Sequence, residues 1–278
     1  MNYNQQVLNQ YNLSVDDLTD WVRARGVEPL MLVITGSHMW HTATPDSDLD
    51  IRGVYLQPTC DFHGLDQPKG TIEANGVLGK DIDIQLYELA HLYRMLLGHN
   101  GNVVEMMLSP TIIYEEGIWS RCWRDRPDRS SCNVAELFLT KRLARYYTGY
   151  FHSQRKRAGQ NRGGKALVYS YRELMAGTVL MAIGKIIYNL DELAFLYDKD
   201  FRAVPLLAQY RSDWNVPQGS VELTAFEEDW ADMIGIMQQA TDSSCLPDRE
   251  PTWARDELEY KVRMTRWDDI QVRAFNDR

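Results

Sequence analysis

The sequence predicts an α+β fold, with strands in the N-terminal half of the chain and only helices in the C-terminal half. Three segments carry strand patterns: the continuous apolar run 30–34, the partly alternating segment 49–56 and the alternating segment 81–87. From about residue 133 onward, apolar residues recur at helical spacing. The chain has 278 residues, 44% of them hydrophobic, and so can bury a core in one large domain or two ordinary ones.

Capping residues mark where the first helix begins and ends. It is predicted over 13–25, with Ser14 as N-cap, Asp17 at its third position and Gly26 after its last turn. The remaining helices follow from the spacing of apolar residues. They are predicted over 88–98, 135–152, 165–188, 226–240 and 257–275.

The composition shifts at about residues 110–127, which separates the two halves. We therefore expect residues 1–115 to form one domain and residues 116–278 to form a helical domain. The longest apolar runs are far too short to span a bilayer, and the N-terminus lacks the basic and apolar segments of a signal peptide. A soluble, cytoplasmic protein without a membrane partner is expected.

The cysteines and histidines do not indicate a stabilised secreted domain or a zinc site. The six histidines lack the spacing of metal ligands, so a structural zinc site is not predicted. The cysteines are scattered, without a Cys-x-x-Cys pair, and reduced thiols are expected. They are Cys60, Cys122, Cys132 and Cys245.

The net charge of −9 conceals a basic segment between residues 141 and 165. The segment has no acidic residue and eight basic ones: Lys141, Arg142, Arg145, Arg155, Lys156, Arg157, Arg162 and Lys165. One explanation is a site for a polyanion, such as a triphosphate or an RNA backbone. The other is a solvated helix face whose charges pair with acids elsewhere in the chain. The sequence favours neither.

The loop after the first strand has the clearest chemical pattern. The strand runs into Gly36 and Ser37, whose backbone N–H groups and hydroxyl can face a phosphate. The loop then leads to Asp48 and Asp50, which the i, i+2 spacing of an extended chain places on one face. Asp83, on the polar face of the third strand, can supply a third carboxylate.

Two carboxylates this close repel each other unless a cation lies between them, and Mg²⁺ prefers such oxygen ligands together with phosphate oxygens. Three carboxylates beside a phosphate-binding loop are the components of two-metal nucleotidyl transfer. The alternative is an ordinary loop in which Asp48 and Asp50 are solvated. The Asp-x-Asp pair alone would favour that alternative. The full pattern of strand, Gly-Ser, loop and Ser-Asp-x-Asp favours the metal site.

The motif over 36–53, Gly-Ser-x₄-Thr-x₄-Ser-Asp-x-Asp-x₂-Gly, resembles the signature of the DNA polymerase β-type nucleotidyltransferases. The closer resemblance is to a family of predicted nucleotidyltransferases in that superfamily, some of which accompany RNA ligases and are associated with RNA repair. The similarity covers roughly residues 30–195. Further segments similar to this family are 63–65, 83–89, 100–105, 165–166 and 169–172.

The resemblance implies a polymerase-β-like mixed sheet with flanking helices, followed by a helical domain. It implies that Asp48, Asp50 and Asp83 are catalytic and bind Mg²⁺ or Mn²⁺. It also implies a nucleoside triphosphate substrate, with ATP as the leading candidate. The residues that this resemblance assigns to nucleotide binding in the motif are Gly36, Ser37, Thr42 and Ser47.

Lys165, Tyr169 and Arg172 lie at i, i+4 and i+7 on one face of a predicted helix. Together with the resemblance, this spacing predicts a face that binds the β- and γ-phosphates, with a bidentate contact from arginine and a point charge from lysine. The alternative is a surface ion-pair face, with Glu173 as a partner.

Three positions depart from the family pattern. The mildest change is at Gly101, which stands where proline is common. His41 stands where the family usually has glycine, which accepts positive φ and close ligand approach more readily than histidine does. The change predicts either an added polar contact or altered nucleotide handling. Tyr169 stands where histidine is frequent, and a phenol can still donate a hydrogen bond. His38 and His41 are interpreted as loop residues able to contact a base or ribose.

Two further patterns are interpreted as structural. The segment 159–166 has the Gly-x₄-Gly-Lys spacing of a P-loop, but it lacks the Ser or Thr and follows a helix, so a loop is predicted. Aromatic residues in the C-terminal part of the chain have the spacing of a packing stripe, and we predict that they are core rather than a stacking surface for bases. They are Trp253, Tyr260, Trp267 and Phe275.

The sequence therefore predicts a metal-dependent enzyme that transfers a nucleotide from a nucleoside triphosphate to an acceptor hydroxyl and releases pyrophosphate. An RNA 3′ end is the leading acceptor, on the family association and the basic segment. Protein and small-molecule acceptors are alternatives. Another is a non-catalytic RNA- or nucleotide-binding module on the same scaffold. Such a module would be expected to have lost one of the three carboxylates, and none is lost here.

Overall fold

The computed structural model describes residues 2–63, 65–117, 133–158, 163–197, 201, 204, 207 and 223–276. In the last of these ranges, side chains are described for 226–267 and for Asp269. Cys122, Cys132, Gly64 and residues 159–162 of the segment 159–166 lie outside the described residues.

The chain divides into two compact units. The first contains residues 1–39, 48–138 and 250–278, and the second contains 40–47 and 139–249. The C-terminal segment thus belongs with the strands, and the loop 40–47 belongs with the helical unit. The predicted domains, 1–115 and 116–278, differ from these units and stay a prediction.

Five strands form one mixed sheet in the first unit. They are β1 (Glu28–Ile34), β2 (Leu49–Leu56), β3 (Thr71–Ala74), β4 (Ile82–Glu88) and β5 (Ile112–Glu115). The strand order is β3-β4-β2-β1-β5. The β2–β4 pair is parallel and the other pairs are antiparallel. The predicted α+β class with a mixed sheet and flanking helices is confirmed.

The described helices, in chain order, belong to both units. They are α1 (Tyr3–Gln10), α2 (Val15–Arg23), α3 (Gly36–Met39), α4 (Leu89–Leu97), α5 (Gly101–Leu108), α6 (Leu143–Ala158), α7 (Gly163–Ile183), α8 (Leu190–Tyr197), α9 (Leu223–Asp242) and α10 (Ala254–Asn276). Short 3-10 helices cover Thr59–His63, Val77–Gly79 and Val134–Phe138. Among the helices that the structure describes, none is both long enough and apolar enough to cross a membrane.

The start of α2 matches the predicted capping. The Ser14 hydroxyl accepts a hydrogen bond from the Asp17 N–H (3.1 Å), and the Asp17 carboxylate accepts one from the Ser14 N–H (2.8 Å). This reciprocal pair satisfies two donors that the first turn of a helix otherwise leaves unbonded. Gly26, at φ +76°, follows the helix as predicted.

One face of the sheet packs against α1 and α2. Its core contains Leu49 and Ile51 of β2 and Ile82 and Ile84 of β4, all buried. Because successive side chains of a strand point to opposite faces, Asp50 and Asp83 face away from this core. The alternation that buries one face of β2 and β4 therefore leaves their polar residues together on the other.

In the second unit, α7 is buried on nearly all sides and packs against α6 and α9. The Tyr171 hydroxyl donates a hydrogen bond to the Asp229 carboxylate of α9 (3.0 Å). The ring of Tyr171 also contacts Phe226 and Trp230 of the same helix. This aromatic cluster, with one satisfied polar contact, fixes α9 against α7.

Two predicted helix boundaries were wrong. The helix predicted over 135–152 is a 3-10 turn at Val134–Phe138 followed by α6, and the break lies where the Lys141 N–H bonds the Pro247 carbonyl (3.0 Å). The helix predicted to reach residue 188 ends at Ile183. Gly184 takes φ +70° there and its N–H bonds the Leu180 carbonyl (2.8 Å), which is the usual way for glycine to end a helix.

The predicted aromatic packing stripe was also wrong. Trp253, Tyr260 and Trp267 are 41%, 58% and 57% exposed, and the Phe275 side chain lies outside the described residues. The opposite side of α10 is the buried one, and it includes Leu258. The helical spacing identified one face correctly, but it did not indicate which face turned inward. Of the cysteines, the structure describes Cys60 and Cys245, and both are free and exposed.

Candidate active site

Asp48, Asp50 and Asp83 come together where β2 and β4 begin. The parallel register places Asp50 directly beside Asp83, and the Leu49 N–H donates to the Asp81 carbonyl (3.0 Å). One carboxylate oxygen from each of the three lies within 4.8 Å of the others, and all three residues are half-buried. The predicted proximity of the three carboxylates is confirmed.

This cluster fits a hard divalent cation. At bond lengths of about 2.0–2.6 Å, two oxygen ligands on opposite sides of one ion lie roughly 4–5 Å apart. The 4.8 Å limit on the oxygen separations is within that range. Three like charges at this distance repel one another, so a cation between them stabilises the arrangement. The oxygen-only donor set suits Mg²⁺ or Mn²⁺ rather than zinc.

Gly36 supports the carboxylate of Asp50 from the adjoining turn. A Cβ atom built on Gly36 would lie 2.0 Å from Asp50 Oδ2 and 2.9 Å from Asp50 Cγ. Gly36 also has φ +62°, a conformation that glycine takes without strain. Glycine is therefore required at this position for two reasons: the backbone takes a positive φ, and the Asp50 carboxylate leaves no room for a side chain. Ser37, which follows, is buried at the start of α3.

Tyr11 and His38 form a hydrogen-bonded pair near this cluster. Tyr11 Oη and His38 Nε2 are 2.9 Å apart, and the Tyr3 hydroxyl donates to the His38 carbonyl (2.8 Å). Burial, together with the charges of Asp48, Asp81 and Asp50, raises the pKa of Tyr11 to about 12. Tyr11 therefore stays protonated at neutral pH. Sequence reasoning missed it, because a tyrosine between two N-terminal helices carries no motif.

His38 is buried in α3, not placed in an open loop as the sequence suggested. Burial lowers its pKa below the usual 6.5, although the charge of Asp48 acts in the opposite direction. His38 is therefore neutral at pH 7. In that state Nε2 bonds Tyr11 as either donor or acceptor, according to the tautomer.

Lowering the pH from 7.5 to 5.5 should destabilise the wild-type protein more than a His38→Gln variant. The unfolded chain protonates His38 near pH 6.5, whereas the folded chain does so only at lower pH. The stability that depends on neutral His38 is thus complete above pH 6.5 and lost as the pH falls below it. Urea unfolding in EDTA at both pH values measures this difference. Equal losses in the two proteins would contradict it.

The model of the RNA repair pathway DNA polymerase beta family (RlaP) matches residues 13–194. This match covers more than half of the chain and includes the three carboxylates and Gly36. The chain belongs to this family. The predicted family assignment is confirmed, and membership in the polymerase β superfamily indicates a nucleotidyltransferase.

A curated relative extends the comparison without adding a function. The chain is 26% identical over 178 residues to the uncharacterized protein MJ0002 of Methanocaldococcus jannaschii. The aligned part covers 62% of this chain and 69% of the relative. The α9 and α10 helices lie entirely beyond the family match.

The loop that carries Thr42 and Ser47 belongs to the helical unit, although Asp48 follows it directly. Thr42 is buried, and the Ser47 hydroxyl accepts a hydrogen bond from the Thr44 N–H (2.9 Å). His41, which replaces the glycine usual in the family, takes φ +57°. That left-handed backbone explains why glycine suits the position, and histidine there costs about 1 kcal/mol of strain.

The predicted phosphate-binding face of α7 differs in exposure along its length. Lys165 is exposed, Tyr169 is buried and Arg172 is 0% exposed. The Arg172 guanidinium lies 2.9 Å from the Glu173 carboxylate and 4.4 Å from the centre of the Trp40 ring. The Glu173 pair that the alternative predicted is therefore present, but inside the helical unit instead of on its surface. Phosphate contacts from these residues stay a prediction, which the burial of Arg172 does not favour.

Trp40 anchors the loop in the helical unit. Its ring meets Tyr169 edge to face, with ring centres 4.9 Å apart, and its carbonyl accepts a hydrogen bond from the Leu190 N–H (3.1 Å). Arg172 lies against the same ring. Two of the three residues predicted to bind phosphate on α7, Tyr169 and Arg172, thus pack against Trp40 at the start of the loop that carries Thr42 and Ser47.

Glu173→Gln should destabilise the fold by about 3–5 kcal/mol, because it leaves the charge of Arg172 buried without its carboxylate. Chemical unfolding in urea measures the change. The matched control is Glu259→Gln, which breaks the exposed Arg263–Glu259 pair and should cost at most about 0.5 kcal/mol. Similar small losses in both variants would show that the buried pair contributes little.

Proposed function

We propose that this protein transfers a nucleoside monophosphate from a nucleoside triphosphate to an acceptor hydroxyl. The observation that carries the proposal is the cluster of Asp48, Asp50 and Asp83, in a chain that belongs to a polymerase β-type family. A binding module has no need of three mutually repelling carboxylates within 4.8 Å of one another. Catalysis is therefore the better explanation.

The proposed roles follow from position. Asp48, Asp50 and Asp83 would hold one or two divalent metal ions, Mg²⁺ or Mn²⁺. Bound there, the metal would supply a lowered pKa for the acceptor hydroxyl and charge neutralisation for the leaving pyrophosphate. Asp83, on its own strand across from Asp50, also takes the proton of the attacking hydroxyl.

Gly36 and Ser37 are proposed to bind the triphosphate. Glycine at position 36 lets the backbone pass close to the Asp50 carboxylate, and so brings the turn after β1 beside the proposed metal site. Thr42, Ser47, Lys165 and Tyr169 are proposed as further nucleotide contacts. In the reaction, the acceptor oxygen forms a bond to the α-phosphorus while the α–β phosphoanhydride bond breaks, and pyrophosphate leaves.

The proposed acceptor is an RNA 3′ end, and the proposed nucleotide is ATP. The RNA repair description of the family and the basic segment of α6 support the choice of RNA. The net charge of −9 is unusual for a general nucleic-acid binder, which favours a local binding surface over a protein-wide one.

Label transfer tests the proposal directly. The protein is incubated with each α-labelled nucleoside triphosphate and Mg²⁺, with total RNA and total protein offered separately. Label in the RNA fraction that requires the intact carboxylates is the expected result. Label in the protein fraction instead would show that the acceptor is a protein and not RNA. No label in either fraction, despite metal-dependent nucleotide binding, would favour a small-molecule acceptor or a binding module.

A further inference from the structure

We propose that the exposed face of α6 binds the backbone and bases of single-stranded RNA. Four cations lie on this face, which we call the basic face: Arg142, Arg145, Lys156 and Arg157. All four are exposed. The choice of RNA over another polyanion rests on the proposed function. The surface itself rests on the geometry of this helix.

Ion pairs distinguish Arg155 of α6 and Lys141, which precedes the helix, from other basic residues nearby. Arg155 lies on another side of the helix and contacts Glu227 (3.3 Å), and Lys141 contacts Asp248 (3.2 Å). In contrast, no carboxylate of the described residues lies within ion-pair distance of Arg145, Lys156 or Arg157. The explanation by paired charges therefore holds for Arg155 and Lys141 but does not extend to Arg145, Lys156 and Arg157.

Helix stability does not explain the basic face either. Cations in the last turn of a helix interact favourably with its dipole, which accounts for Lys156 and Arg157. Arg142 and Arg145 lie at the opposite end, before and within the first turn. Cations there are unfavourable by about 0.3–1 kcal/mol, and α6 contains no acidic residue that would offset them. An anionic ligand along the face would stabilise both ends.

Aromatic residues lie between the two pairs of cations. Tyr146 and Tyr150 are half-buried and stacked, with ring centres 6.1 Å apart and an interplanar angle of 23°. Gly149 is on the same exposed face, and a Cβ atom built there would have no neighbour within 4 Å. Stacking on tyrosine requires bases that are not already paired and stacked, so the aromatic pair favours a single strand over a duplex.

The dimensions suit a short strand. From Arg142 to Arg157 the helix rises about 22 Å, at about 1.5 Å per residue. Phosphates would bind the cations at the two ends, and one or two bases would stack on the tyrosines between them. The contacts between cations and phosphates would make the affinity fall steeply as the salt concentration rises. Stacking of bases on the tyrosines would add affinity that does not depend on salt.

Fluorescence anisotropy with a labelled single-stranded RNA of about 12 nucleotides tests the surface. The full chain is titrated in EDTA at several KCl concentrations. The triple variant Arg145→Gln, Lys156→Gln, Arg157→Gln should bind at least tenfold more weakly and lower the slope of log K against log salt by about 2, or about 0.7 per lost contact. Tyr150→Leu should weaken binding by about tenfold with an unchanged slope.

Arg155→Gln is the matched control, since it removes one charge from the same helix on another side. It should leave both affinity and slope within error of the wild type. A triple variant that binds RNA as well as this control would overturn the proposal, as would a wild-type protein that binds phosphatidylserine vesicles but no RNA. Circular dichroism confirms that each variant is folded.

One further variant separates this inference from the proposed function. Asp48→Ala should lose nucleotide transfer and retain RNA binding in EDTA. If the triple variant binds RNA normally while wild-type transfer to RNA is intact, the surface is wrong and the function stands. If RNA binds through the basic face but receives no label, the surface stands and the proposed acceptor is wrong.

Discussion

Asp50→Asn should abolish nucleotide transfer while it makes the metal-free protein more stable. The variant keeps the shape of the side chain but removes one ligand charge at the centre of the cluster, beside Asp83. Loss of several kcal/mol of transition-state stabilisation corresponds to a fall in turnover of roughly a thousandfold or more. Relief of repulsion from two nearby carboxylates should raise the free energy of unfolding by about 1 kcal/mol.

Thermal and urea unfolding with and without Mg²⁺ measure the second effect. Saturating Mg²⁺, at about 100 times its dissociation constant, should stabilise the wild type by about 2.7 kcal/mol. The variant should gain much less. Asp81→Asn is the control, because Asp81 is exposed at the same end of β4 and is outside the cluster. It should behave as the wild type. Equal stabilisation of all three proteins by Mg²⁺ would show that the cluster is not a metal site.

The strands and the carboxylate cluster could be predicted because the relevant signals are local. Alternating residues in 81–87 and the i, i+2 spacing of Asp48 and Asp50 fix which side chains share a face. The parallel pairing of β2 with β4 then brings Asp83 beside Asp50. That pairing is a long-range property, and the resemblance to a known family supplied it where periodicity could not.

The exposure of helix faces could not be predicted in the same way. Spacing placed Lys165, Tyr169 and Arg172 on one face, yet Arg172 is buried beside Glu173 and Lys165 is exposed. For the same reason, Tyr260 and Trp267 of α10 were predicted to be buried but are exposed. A period of 3.6 residues defines a stripe, but the neighbours that cover it are set by the tertiary fold. Charged residues are rarely buried unless paired, so the adjacent Arg172 and Glu173 were the available signal for an internal pair.

Residues outside any motif were missed for a related reason. Tyr11 lies just before the matched family region, in a turn whose Tyr11 and Asn12 carbonyls accept hydrogen bonds from the Lys80 ammonium (2.6 and 2.7 Å). Those contacts join the N-terminal helices to the segment that precedes β4. They position a phenol beside the cluster from a distant part of the chain, which no local pattern records.

Gly36→Ala should reduce nucleotide transfer by about a hundredfold or more, with a smaller loss of stability. The added Cβ would lie 2.0 Å from Asp50 Oδ2, so the carboxylate has to move or the turn after β1 has to open. Either displacement is of the order of 1 Å, and misplacement of that size at a reacting centre can reduce the rate by about a hundredfold. Steady-state turnover at saturating nucleotide and Mg²⁺ measures the effect.

Gly26→Ala separates the contact with Asp50 from backbone strain. Gly26 has φ +76°, similar to the +62° of Gly36, but a Cβ atom there would have no neighbour within 4 Å. Both variants should lose about 1 kcal/mol of stability from an alanine in the left-handed region. Only Gly36→Ala should also lose transfer and weaken Mg²⁺ binding, since only that methyl group meets a carboxylate of the cluster. If the two variants lose activity equally, strain rather than the position of Asp50 limits the reaction, and the close approach at Gly36 has no catalytic role.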